Sequence, residues 1–257
     1  MADVVLVTGA TGVLGREVVA RARALGMPVR ALTRRAELPV GEGVEWVRGD
    51  LLTGDGLAAA FAGVRTVIHC ATDIRHPKND LPGFERLLAA ARTAGVGHVV
   101  NISIVGVDRI PYFYYRIKLA GERLLADSGI GWSNLRATQF PTLLDSAFGA
   151  LSKLPGLLLV PSGTVCQPVD QREVAERLVE LAQGAPVGQA PELGGPTVYP
   201  AERLAESWLA AAGKRRRVLA VRVPGRAGAG FRSGALTTPN ADGVRSWEEY
   251  LAAEVAR

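Results

Sequence analysis

Val4-Val5-Leu6-Val7-Thr8-Gly9-Ala10-Thr11-Gly12-Val13-Leu14-Gly15 decides the fold. An apolar, β-rich run leads straight into evenly spaced glycines. Leu14, Val18, Ala22 and Leu25 then recur on one helical face until Gly26 stops the pattern ahead of Pro28. A strand, a glycine turn and an amphipathic helix that feeds a second β-rich run at 29–33 make one βαβ unit. Within it Gly9 serves the tight turn, Gly12 lets a phosphate approach the backbone, and Gly15 lets helix and strand close up. Backbone N–H groups and the positive helix end then face a pyrophosphate. The residues expected to line a dinucleotide here are Gly9, Thr11, Gly12, Val13, Leu14, Gly15 and Arg16.

The alternation continues along the chain. Further β-rich runs at 44–48, 66–70, 98–102 and 132–136 predict an α/β fold, a Rossmann-type doubly wound parallel sheet with a small C-terminal substrate-side elaboration. All 257 residues read as a single NAD(P)-binding domain, with the cofactor-binding core at 1–138 and mixed core and substrate-pocket elements at 139–257. Helices are expected at 172–182, after Asp170 as N-cap, and at 201–212, opened by Pro200 and closed by Gly213. The Gly/Arg/Ala-rich stretch 224–243 reads as a long loop before a last helix at 247–255.

Hydrophobic residues at 48% and charged residues at 21% exclude extensive disorder. Met1-Ala2-Asp3-Val4 lacks the basic region of a leader, and the apolar run at 157–160 is far shorter than the roughly 20 residues of a membrane helix. Cys70 and Cys166 form no metal-ligand spacing, so a reduced, cytoplasmic protein without metal or membrane is expected. A net charge of +5 suits an anionic ligand without specifying one. The run Lys214-Arg215-Arg216-Arg217 reads as a solvated helix end rather than a nucleic-acid face, and no pattern fixes an oligomeric state.

NAD sites commonly carry an acidic residue at the end of the second strand. This chain carries Thr33-Arg34-Arg35 there. Paired guanidiniums, with Arg16 assisting, favour an added 2′-phosphate, so NADP(H) is the expected cofactor and NAD(H) the alternative. Asp50, followed by Leu51, ends the third strand, where its carboxylate can accept from the adenine amino group or cap a turn. Cys70, Ala71 and Thr72 end the fourth, along the path of the ribose. His69 reads as a packed strand residue.

Past the fifth strand, Asn101-Ile102-Ser103 is followed by Tyr112-Phe113-Tyr114-Tyr115-Arg116-Ile117-Lys118. Tyr114 and Lys118 fall one helical turn apart on one face. A free phenol titrates at about 10, and an adjacent ammonium favours phenolate, so Tyr114 can exchange a proton with a carbonyl or alcohol. Ser103 can hold the reacting oxygen, and Lys118 can serve as catalytic partner and bind the nicotinamide ribose. Gln139, Phe140 and Phe231 are candidate walls of a pocket for a small-molecule substrate.

Thr8–Gly15, Asn101–Asp108 and Tyr114–Glu122, extended by Trp132–Phe140 and Gln167–Ala175, resemble the atypical short-chain dehydrogenase/reductase superfamily near its NmrA-like branch. The resemblance covers most of the chain. It implies a Rossmann fold, NAD(P)H bound through the glycine loop and a lysine on the cofactor ribose. It also implies an NADPH-dependent oxidoreductase acting by hydride transfer on a small carbonyl, quinone or conjugated substrate. The alternatives are a non-catalytic NADP(H) sensor and a nucleotide-sugar epimerase or dehydratase.

Overall fold

Val5, Leu6 and Val7 are buried, as a strand covered on both faces requires, and they found the sheet. In the computed structural model, which describes residues 4–38 and 43–255, the elements begin with β1 (Val4–Thr8), α1 (Val13–Ala24), β2 (Val29–Thr33) and β3 (Val44–Arg48). There follow α2 (Leu57–Phe61), β4 (Val64–His69), α3 (Asp80–Thr93), β5 (His98–Ile104), α4 (Phe113–Ala126) and β6 (Gly131–Ala137). Next come α5 (Pro141–Leu151), β7 (Leu157–Pro161), β8 (Val165–Cys166), α6 (Gln171–Gln183) and β9 (Gly188–Gln189). The last are β10 (Tyr199–Pro200), α7 (Ala201–Ala211), β11 (Arg217–Val221), α8 (Gly225–Phe231) and α9 (Trp247–Tyr250). Met1-Ala2-Asp3, read above for a leader, lies outside the described residues.

The main sheet has the order β3-β2-β1-β4-β5-β6-β9. Its β1 pairs in parallel with β2 and with β4, so the order reverses between β1 and β4. In an open α/β sheet, that reversal leaves a crevice beyond the carboxyl ends of the two strands. The glycine loop leaves β1 at that crevice. One face of the sheet is closed by Leu57, Phe61, Phe84, Leu87 and Leu88 from α2 and α3, packed on Leu6, Leu32 and Val67. On α1, Leu14, Val18 and Ala22 are buried as their spacing predicts, and the helix packs against α6, with Arg21 paired to Glu176 at 2.5 Å.

The chain forms two compact units. The first joins the residues up to Ser103 with Arg116–Leu135 and Gln171–Ala190. The second holds Ile104–Tyr115, Arg136–Asp170 and the residues from Pro191 onward. The units are not contiguous in sequence, since α6 and β9 from the C-terminal half belong to the first. In the second unit, β8 pairs antiparallel with β10 and β7 parallel with β11. Its core is aromatic: Phe148 meets Trp208 at 6.0 Å and Trp247 at 6.4 Å between ring centroids. The Asp145 carboxylate accepts hydrogen bonds from Trp208 Nε1 (2.7 Å) and from the Tyr250 hydroxyl (3.1 Å).

Two expectations for the C-terminal third need correction. The supposed loop 224–243 contains α8, whose glycines disguised it. Gly228 lies too close to the Val223 carbonyl and Gly230 to Ile110 for a side chain, so they mark tight packing rather than a flexible loop. The last helix is α-helical only to Tyr250, after a Ser246/Glu249 capping box, and continues as a π-helical turn at Leu251–Val255. No helix among the described residues is long and apolar enough to cross a membrane.

Candidate functional site

Gly9 adopts φ +68°, and a Cβ there would come within 2.6 Å of the Ala71 backbone nitrogen. The loop thus lies directly on the end of β4, which explains the small residues that follow His69. A Cβ on Gly15 would collide with the Gly9 carbonyl, so helix and loop close up as the spacing requires. Gly12 is exposed, donates its N–H to the Gly9 carbonyl at 2.8 Å and caps α1 without a side chain. No acidic residue occupies the first turn of α1. The opening N–H groups and the positive end of that helix are left for an anion. Val13 is exposed beside Gly12, whereas Leu14 is buried and contributes packing and its backbone N–H.

Arg34 and Arg35 are both exposed just past β2, where the Arg35 N–H donates to Thr33 Oγ1 at 3.2 Å. Here the pair separates. A cleft of about 300 Å³ opens beside the loop, with Ala10, Thr11, Arg16 and Arg35 in its wall, but not Arg34. Asp50 engages one carboxylate oxygen with the Leu52 N–H at 2.7 Å, a turn-capping bond that leaves it the other oxygen. Leu51 packs against the core next to Gly83.

At the end of β4, burial pushes the Cys70 thiol up to about 12, so it stays protonated. Thr72 Oγ1 donates to Asp80 Oδ2 at 2.6 Å, and Asp80 Oδ1 accepts the Asp73 N–H at 2.7 Å, which ties this loop to the start of α3. His69 is the packed residue expected. Thr8 Oγ1 lies 2.7 Å from its Nδ1, it stacks on Phe84 with ring centroids 4.5 Å apart, and burial holds its pKa down at about 3.

Ser103, at the end of β5, is 3% exposed, and its Oγ has no hydrogen-bond partner among the described residues. Lys118 Nζ donates to the carbonyl of Ile102, the residue before it, at 3.0 Å. Burial lowers the Lys118 pKa, and Asp80, Glu122 and Cys70 oppose the shift. Lys118, Asp80 and Asn101 border a cavity of about 20 Å³, room for one water molecule. Ser103 and Lys118 both belong to the first unit. Tyr114, half-buried one turn earlier on α4, is counted with the second.

Sequence reasoning missed Asp80, for which no local motif stands out, and the further role of Asn101. The Asn101 side chain donates to Asn134 Oδ1 at 2.7 Å, and Asn134 in turn donates to Gln189 Oε1 at 2.9 Å. This buried amide chain links β5, β6 and β9. Amides in strands that otherwise read as apolar were its sequence signal.

A family model described as NAD(P)H-binding matches residues 9–153, more than half of the chain, and begins on the first glycine of this loop. The chain belongs to the NAD(P)H-binding family, within the atypical short-chain dehydrogenase/reductase superfamily. One relative of this NAD(P)H-binding protein is the (4-alkanoyl-5-oxo-2,5-dihydrofuran-3-yl)methyl phosphate reductase of Streptomyces griseus. It is 36% identical over 205 residues, covering 75% of this chain and 68% of that one. Two further relatives are matched over 36% and 45% of their own length.

Among solved structures, a nucleoside-diphosphate-sugar epimerase from Staphylococcus aureus superimposes with a TM-score of 0.81 at 20% identity, covering 98% of this chain and 99% of that one. An Escherichia coli NADPH-dependent quinone oxidoreductase, complexed with NADPH, gives 0.79 at 18% identity over 96% and 98%. At these identities the two structures speak to the fold alone. The family's dinucleotide fits this chain: the exposed Gly12 leaves the N-terminus of α1 without a side-chain cap, and no acidic residue in its first turn opposes a pyrophosphate.

Proposed function

We infer that this chain is an NADPH-dependent oxidoreductase of the NmrA-like branch, reducing a small carbonyl, quinone or conjugated acceptor in a reducing, cytoplasmic setting. The observation that carries the reading is the buried, unpartnered Ser103 hydroxyl, next in sequence to the carbonyl that anchors Lys118. A buried hydroxyl without a partner is costly, and such groups mark places where a ligand completes the hydrogen bonding.

NADPH, when bound, supplies the hydride. The glycine loop and the N-terminus of α1 hold its pyrophosphate, and Arg35 and Arg16 select the 2′-phosphate. Lys118, with one proton on the Ile102 carbonyl, has donors left for the nicotinamide ribose. Ser103 orients the acceptor oxygen and Tyr114 delivers the proton that balances the hydride, so hydride and proton together reduce one double bond. Asp50 and Leu51 flank the adenine, and Cys70, Ala71 and Thr72 the ribose. The conjugated ring in the name of the Streptomyces relative supports an electron-poor, conjugated acceptor.

The test is NADPH oxidation by the purified protein with a naphthoquinone, a conjugated lactone and an aldehyde. NADPH-dependent turnover of at least one acceptor, faster than with NADH, is expected. Silence across all three overturns the reading.

A further inference from the structure

The small parallel sheet of the second unit pairs Leu157 with Arg217, Leu159 with Leu219 and Pro161 with Val221. Leu158 and Val160 are buried, so the alternate residues of β7 point away from the core. Paired residues share a face, which sets Leu157, Leu159, Leu219 and Val221 together on the outer one. Leu157, Leu219 and Val221 are 39%, 42% and 43% exposed. A solvated sheet face ordinarily carries polar side chains, and this one carries aliphatic ones. Among the described residues β11 pairs with β7 alone, and each of its residues is exposed or half-buried. Leu154, in the turn that enters β7, is 47% exposed.

The charge around this sheet has one sign. Residues 146–169 and 207–241 hold eight lysines and arginines and no aspartate or glutamate. Three of the eight rest on neutral groups. Lys214 Nζ donates to Ser152 Oγ at 3.1 Å and lies 4.8 Å over the Trp208 ring. Arg216 Nε donates to the Ser152 carbonyl at 3.3 Å, and Arg232 to the Val223 carbonyl at 2.9 Å. The Arg217 N–H adds a bond to the Gly156 carbonyl at 2.9 Å, so the basic run 214–217 lies along the entry to β7. Lys153, Arg215, Arg217, Arg222 and Arg226 are exposed. Arg217 opens β11 and Arg222 follows it, and five steps of strand span about 16 Å. Cations thus stand at both ends of an aliphatic strip, and the run that reads from sequence as a solvated helix end borders it.

We propose that this face docks on an anionic lipid surface, its aliphatic side chains entering the headgroup boundary and its exposed cations pairing with lipid phosphates. A second copy of the chain would match the strip but set cation against cation. A nucleic acid would match the cations but find aliphatic side chains where bases stack on aromatic ones. Cations at the ends of an edge strand also guard it against wrong pairing, a role that requires no outward leucines. An anionic leaflet answers both components, because apolar burial and attraction to charged headgroups add at an interface. The contact is with one leaflet and needs no spanning segment.

The test is cosedimentation of the full chain with phosphatidylcholine vesicles, with and without about 30 mol% phosphatidylglycerol. Binding is expected to the anionic vesicles only, and to weaken about tenfold or more in about 0.5 M NaCl. Arg215→Gln/Arg217→Gln/Arg222→Gln is expected to lower the partition coefficient about 100-fold, and Leu219→Ser/Val221→Ser about tenfold. Arg86→Gln/Arg92→Gln/Arg123→Gln removes the same charge from exposed positions of the first unit and is expected to bind as the wild type does. A wild type that ignores anionic vesicles overturns the proposal, as do equal losses in the two arginine triples. A wild-type dimer in sedimentation equilibrium that Leu219→Ser/Val221→Ser dissociates overturns it in favour of a second copy. Binding of a mixed-sequence RNA in place of the vesicles overturns it in favour of a nucleic acid.

Discussion

In the first unit, Gly15 sits where a Cβ would strike the Gly9 carbonyl; in the second, Gly195 sits where one would strike the carbonyl of Pro168, and Gly106 that of Ala235. Backbone approach is equally close in both, so tight glycines alone do not mark a ligand site. What differs is the polar company. Beside Gly195, Gln167 Nε2 donates to the Gly195 carbonyl at 2.9 Å and its Oε1 accepts the Thr238 N–H at 2.9 Å. Those groups satisfy one another. Beside Gly15, the first turn of α1 holds no acidic residue, and at the end of β5 the Ser103 hydroxyl has no partner among the described residues.

The largest expected effect probes the second unit. Gly195→Val should lower stability by roughly 4 kcal/mol or more, because the collision is with backbone that has no alternative position. A urea titration checks this, and a midpoint equal to the wild type's would break the claim that the approach is obligatory.

A matched pair sharpens the contrast. Lys118→Met should lower kcat about 100-fold or more without loss of stability, since burial already disfavours its charge. Asp145→Ala should leave kcat alone and cost about 2 kcal/mol, because Trp208 Nε1 and the Tyr250 hydroxyl lose their acceptor. Steady-state kinetics beside unfolding curves separate the two, and the reverse pattern would exchange the roles assigned to the units.

The smallest effect concerns His69, whose pKa is held at about 3 against an ordinary 6.5. The fold favours the neutral ring, so its contribution is complete above about pH 6.5 and is lost as pH falls toward about 3. Between pH values of about 6.5 and 5.5 the wild type should lose about 1 kcal/mol that His69→Gln does not lose. Parallel acid limbs in the two proteins would show that His69 charges freely in the fold.

The sheet was legible because its strands are short apolar runs punctuated by glycine, and β1, β2 and β3 fall at the residues expected. The glycine loop was legible because its constraints are local. Arg35 lines the cleft beside the glycine loop and Arg34 does not, a distinction that adjacency in sequence cannot make. Helix α8 was missed because glycine lowers helix propensity, and only tertiary packing against Val223 and Ile110 accounts for those glycines. The isolation of Ser103 Oγ is likewise a product of burial, and no spacing rule reports burial of one atom.

Helix α6 covers α1 from more than 140 positions downstream. During synthesis, a nascent chain therefore presents α1 long before the helix that packs against it exists. Until then the exposed side of α1 is open to wrong partners, and contacts between such distant segments form slowly. The matched segment 9–153 stops short of α6, so release of the chain at that point would leave α1 without the helix it packs against.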